Sequence, residues 1–350
     1  MKSLTIARAI LTSSVAVRDD DLMDLLLAYS ASHRARLLHH PEPANRIAEY
    51  VKDVFPKLRH AVTSNEPITT SALATAIMLA SLEILSPGAF GFGIPWQTHL
   101  SIARQMVVAR GGPETNFRSD KVSYFLMRWF AFLDIIGSLS GRGRDMPLST
   151  KYWVDDFCDP VVDCLLGFHT DCIGYLARVS YLVNTVEPMR LDEMGNVRED
   201  WQPSPEIAEQ ALQLKRELRA AREHVWKACP YPSNTDNANN PHEAGWDGLE
   251  IAATNDMFHW AALIHLDRRV LNLPLENAEV QYAVGEIVGG LYKIRGGSSA
   301  EANILFPLFT AGVSAIDPLQ RGRVMSRLGV VETFGMTHVS DSALMCCVSN

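Results

Sequence analysis

The sequence predicts an all-α protein, a large array of packed helix pairs around one buried aromatic helix. Three observations carry that prediction. No run alternates apolar and polar residues over strand length. Apolar residues recur at helical spacing in segment after segment, enough for roughly eleven to thirteen helices. One stretch, Val122 to Gly141, is apolar on every face. Tyr124, Phe125, Trp129, Phe130 and Phe132 fall within nine residues, and Leu126, Met127, Leu133, Ile135 and Ile136 fill most of the gaps. Such a helix is predicted to be wrapped by others. It approaches bilayer-spanning length, yet Arg128 and Asp134 lie inside it, and each would cost about 2.5–3.5 kcal/mol at a bilayer centre. The two are six residues apart and share no face, so each needs a partner from elsewhere.

The elements follow in order. Residues 1–21 form an N-terminal segment or first helix, with three basic residues and no acid up to Arg18. Leu22 to Leu38 reads as a helix with His33, Arg34 and Arg36 near its C-terminal, dipole-negative end. From Ala44, the residues Ile47, Val51, Val54, Leu58 and Val62 make one stripe on a helix kinked by Pro56. Ile68 to Leu85 carries a single charge, Glu83, and reads as buried. Gln97 to Arg110 stops at Gly111-Gly112-Pro113. After the aromatic stretch, Leu148 to Asp159 reads as loop and Val161 to Val186 as helix, followed by a polar loop to Gln202.

Ser204 caps the next helix, with Pro205 at its first position. Ile207, Ala211, Leu214, Leu218 and Val225 mark its apolar face, and Lys215, Arg219, Arg222 and other charged residues cover the rest. Pro230 to Gly245 reads as a polar linker. Helices are predicted over Leu249 to Leu271 and Asn277 to Arg295. Ser298 and Glu301 suggest a capping box ahead of the near-chargeless Ile304 to Ile316. Leu319 to Val331 and a weak helix to about Leu344 close the chain.

Composition limits function. Hydrophobic residues at 47% with 21% charged place the chain among globular proteins. A net charge of −8, without a long basic run, speaks against nucleic-acid binding by this chain. Six cysteines include no C-x-x-C pair, so they do not form a binuclear zinc cluster, and free thiols fit a reducing compartment. Cys164, His169 and Cys172 have a zinc-like spacing but lack a fourth ligand, which favours buried cysteines on a core helix. His259 and His265 do not share a helix face and read as core or capping residues.

Asp155-Asp156-Phe157-Cys158-Asp159 fits the D-D-x-x-D pattern by which class I terpene synthases hold magnesium against a diphosphate. The second motif such an enzyme needs starts at Asn255-Asp256, but His259 and Leu263 stand where a hydroxyl residue and a glutamate belong. Asp155 and Asp156 are therefore expected to cap the helix that begins near Pro160. A synthase-like enzyme is the alternative reading, beside a helical scaffold with no small ligand.

Five segments carry a resemblance: LLAYSASHRARLL (26–38), PEPANRIAEYVKDVFPKLRHA (41–61), YFLMRWFAFLDIIGSLSG (124–141), DDFCDPVVDCLLGF (155–168) and ILFPLFTAGVSA (304–315). Together they resemble the fungal-specific transcription factor domain over 22–340, with 341–350 as an altered or shortened tail. The family pairs this domain with an N-terminal Zn₂Cys₆ DNA-binding cluster, and the branch resembled includes yeast sterol-response regulators that sense a hydrophobic ligand. The resemblance implies a non-enzymatic regulatory or effector domain in the nucleus, shuttling from the cytoplasm. It implies partners among the transcription machinery or co-regulators, with a homodimer and a hydrophobic small molecule as further candidates. No cofactor is expected in this chain; zinc would belong to a cluster upstream in a longer form. Phe125, Trp129, Phe132, Phe306 and Phe309, on two nearly chargeless helices, are the residues expected to line an apolar ligand pocket.

Overall fold

The computed structural model describes residues 19–64, 66–85, 96–115, 120–140, 146–152, 166–223, 241–298 and 300–332. Among them the fold is all-α, with twelve α-helices and no strand. The expected Asp155–Asp159 motif, five of the six cysteines and the last weak helix lie outside the described residues. The chain divides into two compact units.

The first unit holds α1 (Asp20–Leu37), α2 (Ala44–Val51), α3 (Val54–Thr63), α4 (Thr70–Leu85), α5 (Trp96–Ala109) and α6 (Lys121–Ser140) as far as Asp134. Its closest helix pair is α4 against α5, where Ala74, Ala76, Ala80 and Ala103 are buried and leave room for near approach. α1 packs on both α2 and α4. The stripe from Ile47 to Leu58 is buried as expected, but the chain breaks at Lys52–Asp53 and does not kink. That break sets Pro56 in the first turn of α3, where a missing N–H costs nothing. α5 ends in a Schellman turn. Gly111 N–H bonds Val108 O and Gly112 N–H bonds Val107 O, both at 3.0 Å, with both glycines at positive φ.

α6 is long and apolar enough to cross a membrane by length and composition, but about two thirds of it is buried within the fold. Its two interior charges find separate partners. Asp134, fully buried, takes Arg104 Nε and the Tyr152 hydroxyl, and the Arg128 guanidinium sits 4.6 Å over the Tyr124 ring. Asp120 caps the helix, accepting from Val122 N–H and Ser123 N–H at 3.0 and 3.2 Å.

The second unit holds α7 (Thr170–Arg190), α8 (Pro205–Arg222), α9 (Pro241–His265), α10 (Ala278–Gly290) and α11 (Leu305–Ser314), with α12 (Pro318–Glu332) as far as Leu328. α9 is its axis, packing on α7, α8, α10 and α11. It starts at Pro241, eight residues before the predicted Leu249, because a proline is well placed at a helix start. Only 241–245 of the expected linker lie among the described residues, and they are helical. α7 begins at Thr170, later than predicted, and runs through Pro188 to Arg190. His169 caps it, its Nδ1 accepting from Asp171 N–H at 3.2 Å. Ser204 caps α8 as expected, accepting from Ile207 N–H at 3.4 Å. The capping box before α11 forms differently. Glu301 reaches Gly297 N–H at 2.6 Å instead of Ser298, and a short 3₁₀ turn, Glu301–Ile304, precedes the helix. α10 approaches α9 closely at Gly290, where a Cβ would lie 3.0 Å from Met257 Cγ.

Candidate functional site

α9 does not end at His265 but widens into one turn of π-helix, Leu266–Val270, in which Leu271 N–H reaches Leu266 O at 2.8 Å. Wide turns of this kind re-aim side chains and recur at functional sites. Here the turn directs two charges into separate networks. Asp267 receives the ammonium of Lys215, 2.5 Å away on α8. The sequence reading placed Lys215 on the solvent face, but it is only 6% exposed and also bonds Glu279 on α10. Burial pushes the Asp267 carboxyl up despite Lys215, whereas the Lys215 bond holds Glu279, which is half exposed, below its usual range.

Arg269 turns the other way. Its Nε bonds Glu187 Oε1 at 2.9 Å, its Nη1 donates to Leu139 O, and it lies 3.3 Å from His265 Nδ1. The Thr310 hydroxyl donates to Phe306 O, so at 3.2 Å its oxygen accepts from His265 Nε2–H. His265 is therefore the Nε2–H tautomer with Nδ1 as acceptor, and burial, assisted by Arg269, drives its pKa well down. The ring stacks on Phe306 at 5.3 Å with a 4° interplanar angle. His259 is likewise held neutral, its pKa lowered by burial to about 4. Its Nδ1 donates to Asn255 O at 2.8 Å. His259 is buried in the core, and His265 is partly buried against Phe306.

A groove of about 560 Å³ opens between α8, α9 and α10, a volume suited to a small ligand. Trp260 forms its floor. The Arg222 guanidinium lies 3.8 Å over the indole, and the Tyr282 ring meets it edge-on at 5.5 Å. Arg219 and Glu279 form a 3.3 Å ion pair at the groove wall. Sequence reasoning missed this site. Arg219 and Arg222 read as surface cover, and nothing local couples them to Trp260 or to Tyr282.

The expected pocket residues fall in both units. In the first, Phe125 and Trp129 meet edge-on at 6.0 Å, and Phe132 is half-buried. In the second, Phe306 is buried between His265 and Phe258, 5.9 Å away, while Phe309 is half-buried. Phe258 also packs against Phe168 at 4.2 Å. The metal-like features find structural roles. Cys172 is a free thiol, buried, with its pKa pushed up by burial. Asn255 accepts from His169 N–H at 3.0 Å, and Asp256 pairs with Arg222 at 3.7 Å. Among the described residues no group of His, Cys, Asp or Glu is arranged to hold a metal ion.

Acid is expected to weaken the second unit through its glutamates. Glu250 is buried and takes Arg295 through the backbone N–H, Nε and Nη2 at 2.9, 2.9 and 3.0 Å. Burial raises its carboxyl, but the Arg295 bonds outweigh that and hold it low. Glu187 is held low in the same way by Arg269 and Arg190. A carboxyl held below its unfolded value stabilises above about 4.5 and loses that contribution as pH falls through the folded value. Asp256 and Asp267, raised by burial, act in the opposite sense. A Glu250→Gln variant therefore isolates the glutamate part. In calorimetry from pH 7 to 3, its melting temperature should fall less steeply below pH about 4.5 than that of the native protein.

Among the described residues the fold is that of a helical domain. More particularly, the family model for the fungal specific transcription factor domain matches residues 8–344, and the chain belongs to that family. Searches of curated proteins and of solved structures gave no match. Family membership gives the chain a role in transcription regulation.

Proposed function

We propose that the chain is a regulatory or effector domain that acts by binding a ligand or a protein partner, without contacting DNA itself. The observation that carries this reading is the family match over nearly the whole length. The net charge of −8 supports the second half, since phosphate contact depends on clustered cations. In this reading the domain works in the nucleus beside co-regulators, serving a Zn₂Cys₆ DNA-binding cluster carried elsewhere. Its ligand is a hydrophobic small molecule, and the candidate contacts are two separate sets, Phe125, Trp129 and Phe132 in the first unit and Phe306 and Phe309 in the second. The half-buried rings of Phe125, Phe132 and Phe309 favour that assignment, because aromatic surface not used up in the core is what such a ligand would cover.

Fusion to an unrelated sequence-specific DNA-binding domain tests the reading in a yeast reporter strain. The fusion is expected to change reporter output at least several-fold relative to that DNA-binding domain alone. The unfused chain should give no gel shift at physiological salt. A reporter unchanged by the fusion would remove the regulatory reading, and a salt-resistant shift would remove the claim of no DNA contact.

A further inference from the structure

Ser204 stands between Pro203 and Pro205, where the loop after α7 becomes α8. Trp201 to Ser204 has no regular secondary structure, and Ser204 is extended, with φ −61° and ψ 156°. The stretch is anchored just upstream, where Asn272 Nδ2 donates to Trp201 O at 3.0 Å. Ser204, Pro205 and Glu206 are all exposed. The Ser204 hydroxyl is only lightly engaged: its oxygen accepts from Ile207 N–H at 3.4 Å, long for a hydrogen bond.

These features suit one chemistry. A kinase takes its acceptor serine on a locally extended chain. A kinase pocket that offers no acceptor to the next N–H selects proline, which has none. The first N–H groups of α8 have no carbonyl partner within the helix, so its first turn opens at small cost. The sequence holds two Ser-Pro pairs and no Thr-Pro, and the other pair, Ser86-Pro87, lies outside the described residues.

We propose that Ser204 is a phosphorylation site for a proline-directed kinase. The Ser204 Oγ attacks the γ-phosphorus of ATP, the bond to the β-phosphate oxygen breaks to release ADP, and the hydroxyl proton passes to the kinase's base. The phosphate then lies at the positive end of α8, where its oxygens replace the long hydroxyl bond to Ile207 N–H with a charge-assisted one. Repulsion from Glu206 opposes part of that gain. The modification places a charge switch at the start of the helix that sends Lys215 to the buried Asp267. It concerns covalent control, so neither the ligand reading nor the reporter experiment bears on it.

Incubating the full chain with magnesium-ATP and a purified mitogen-activated protein kinase tests this, read by intact mass and peptide mapping. Phosphate is expected on Ser204. Ser204→Asn keeps a residue that caps helices but lacks the hydroxyl, so that phosphopeptide is lost from a chain that still folds. Pro205→Ala keeps the hydroxyl and a good helix former, and should slow modification about tenfold or more. In the modified chain, hydrogen exchange at the Ile207 amide should slow several-fold. An unmodified Ser204 in the folded chain, when a peptide of residues 198–210 is modified under the same conditions, overturns the proposal. So does phosphate found only elsewhere, as at Ser86, and left unchanged by Ser204→Asn. Undiminished modification of Pro205→Ala overturns the proline-directed assignment, and unchanged exchange at Ile207 overturns the effect on α8.

Discussion

Replacing Lys215 with methionine is expected to cost about 3–5 kcal/mol of folding free energy, because it strands a buried carboxylate. Asp267 is 2% exposed and takes Lys215 as its cation partner at 2.5 Å. Glu279 loses the same ammonium but is half exposed and keeps Arg219, so water and that guanidinium limit its share of the loss. The asymmetry between removing one ion and removing both makes the experiment decisive. A double variant, Lys215→Met with Asp267→Leu, should recover most of the stability, since an apolar pair of similar volume fills the site without desolvating charge. Urea unfolding of the two single variants and the double variant gives the coupling directly. If Lys215→Met costs less than about 1 kcal/mol, as surface pairs do, the bridge contributes nothing to the core.

The second large effect is expected at Phe258. This ring is fully buried between Phe168 at 4.2 Å and Phe306 at 5.9 Å, on the helix that packs against α7, α8, α10 and α11. Phe258→Ala should cost about 3–5 kcal/mol through lost burial and the cavity left among rings that cannot collapse inward. Phe309→Ala, on the half-buried neighbour, should cost markedly less in the same urea titration. Equal losses at the two positions would mean that Phe309 is as much a core residue as Phe258, leaving no spare aromatic surface for a ligand on α11.

Which of these features could be read from the chain depends on how local their causes are. The stop of α5 is written in Gly111 and Gly112, and the start of α8 in Ser204 and Pro205, because a Schellman turn and an N-cap need only adjacent residues. The partner requirement of Asp134 was equally legible, since a carboxylate inside an apolar helix must be paired. The identity of its partners was not, with Arg104 thirty positions away. Lys215 was misread for the same reason. Its position on the α8 wheel looks solvated, and only Asp267, fifty-two residues later, draws it inward. The Trp260 groove needed three helices from separate parts of the sequence to meet, and no periodicity records such a meeting. Periodicity also extended the helix past His265 without showing that its geometry changes there.

The wide turn at Leu266–Val270 bears on how such a protein can vary. A π turn holds one residue more than the α-helical span it replaces. Losing a single codon there would restore an ordinary α-helical turn and be absorbed locally, whereas the same loss inside a regular α-helix rotates everything beyond it by about 100°. Asp267 and Arg269, two residues apart, lie on nearly opposite sides of the helix and so serve different networks. A one-residue change of length is therefore accommodated more easily at this segment than within the regular helices around it. Arg268 donates to Leu273 O, which ties the turn to the chain that leaves it.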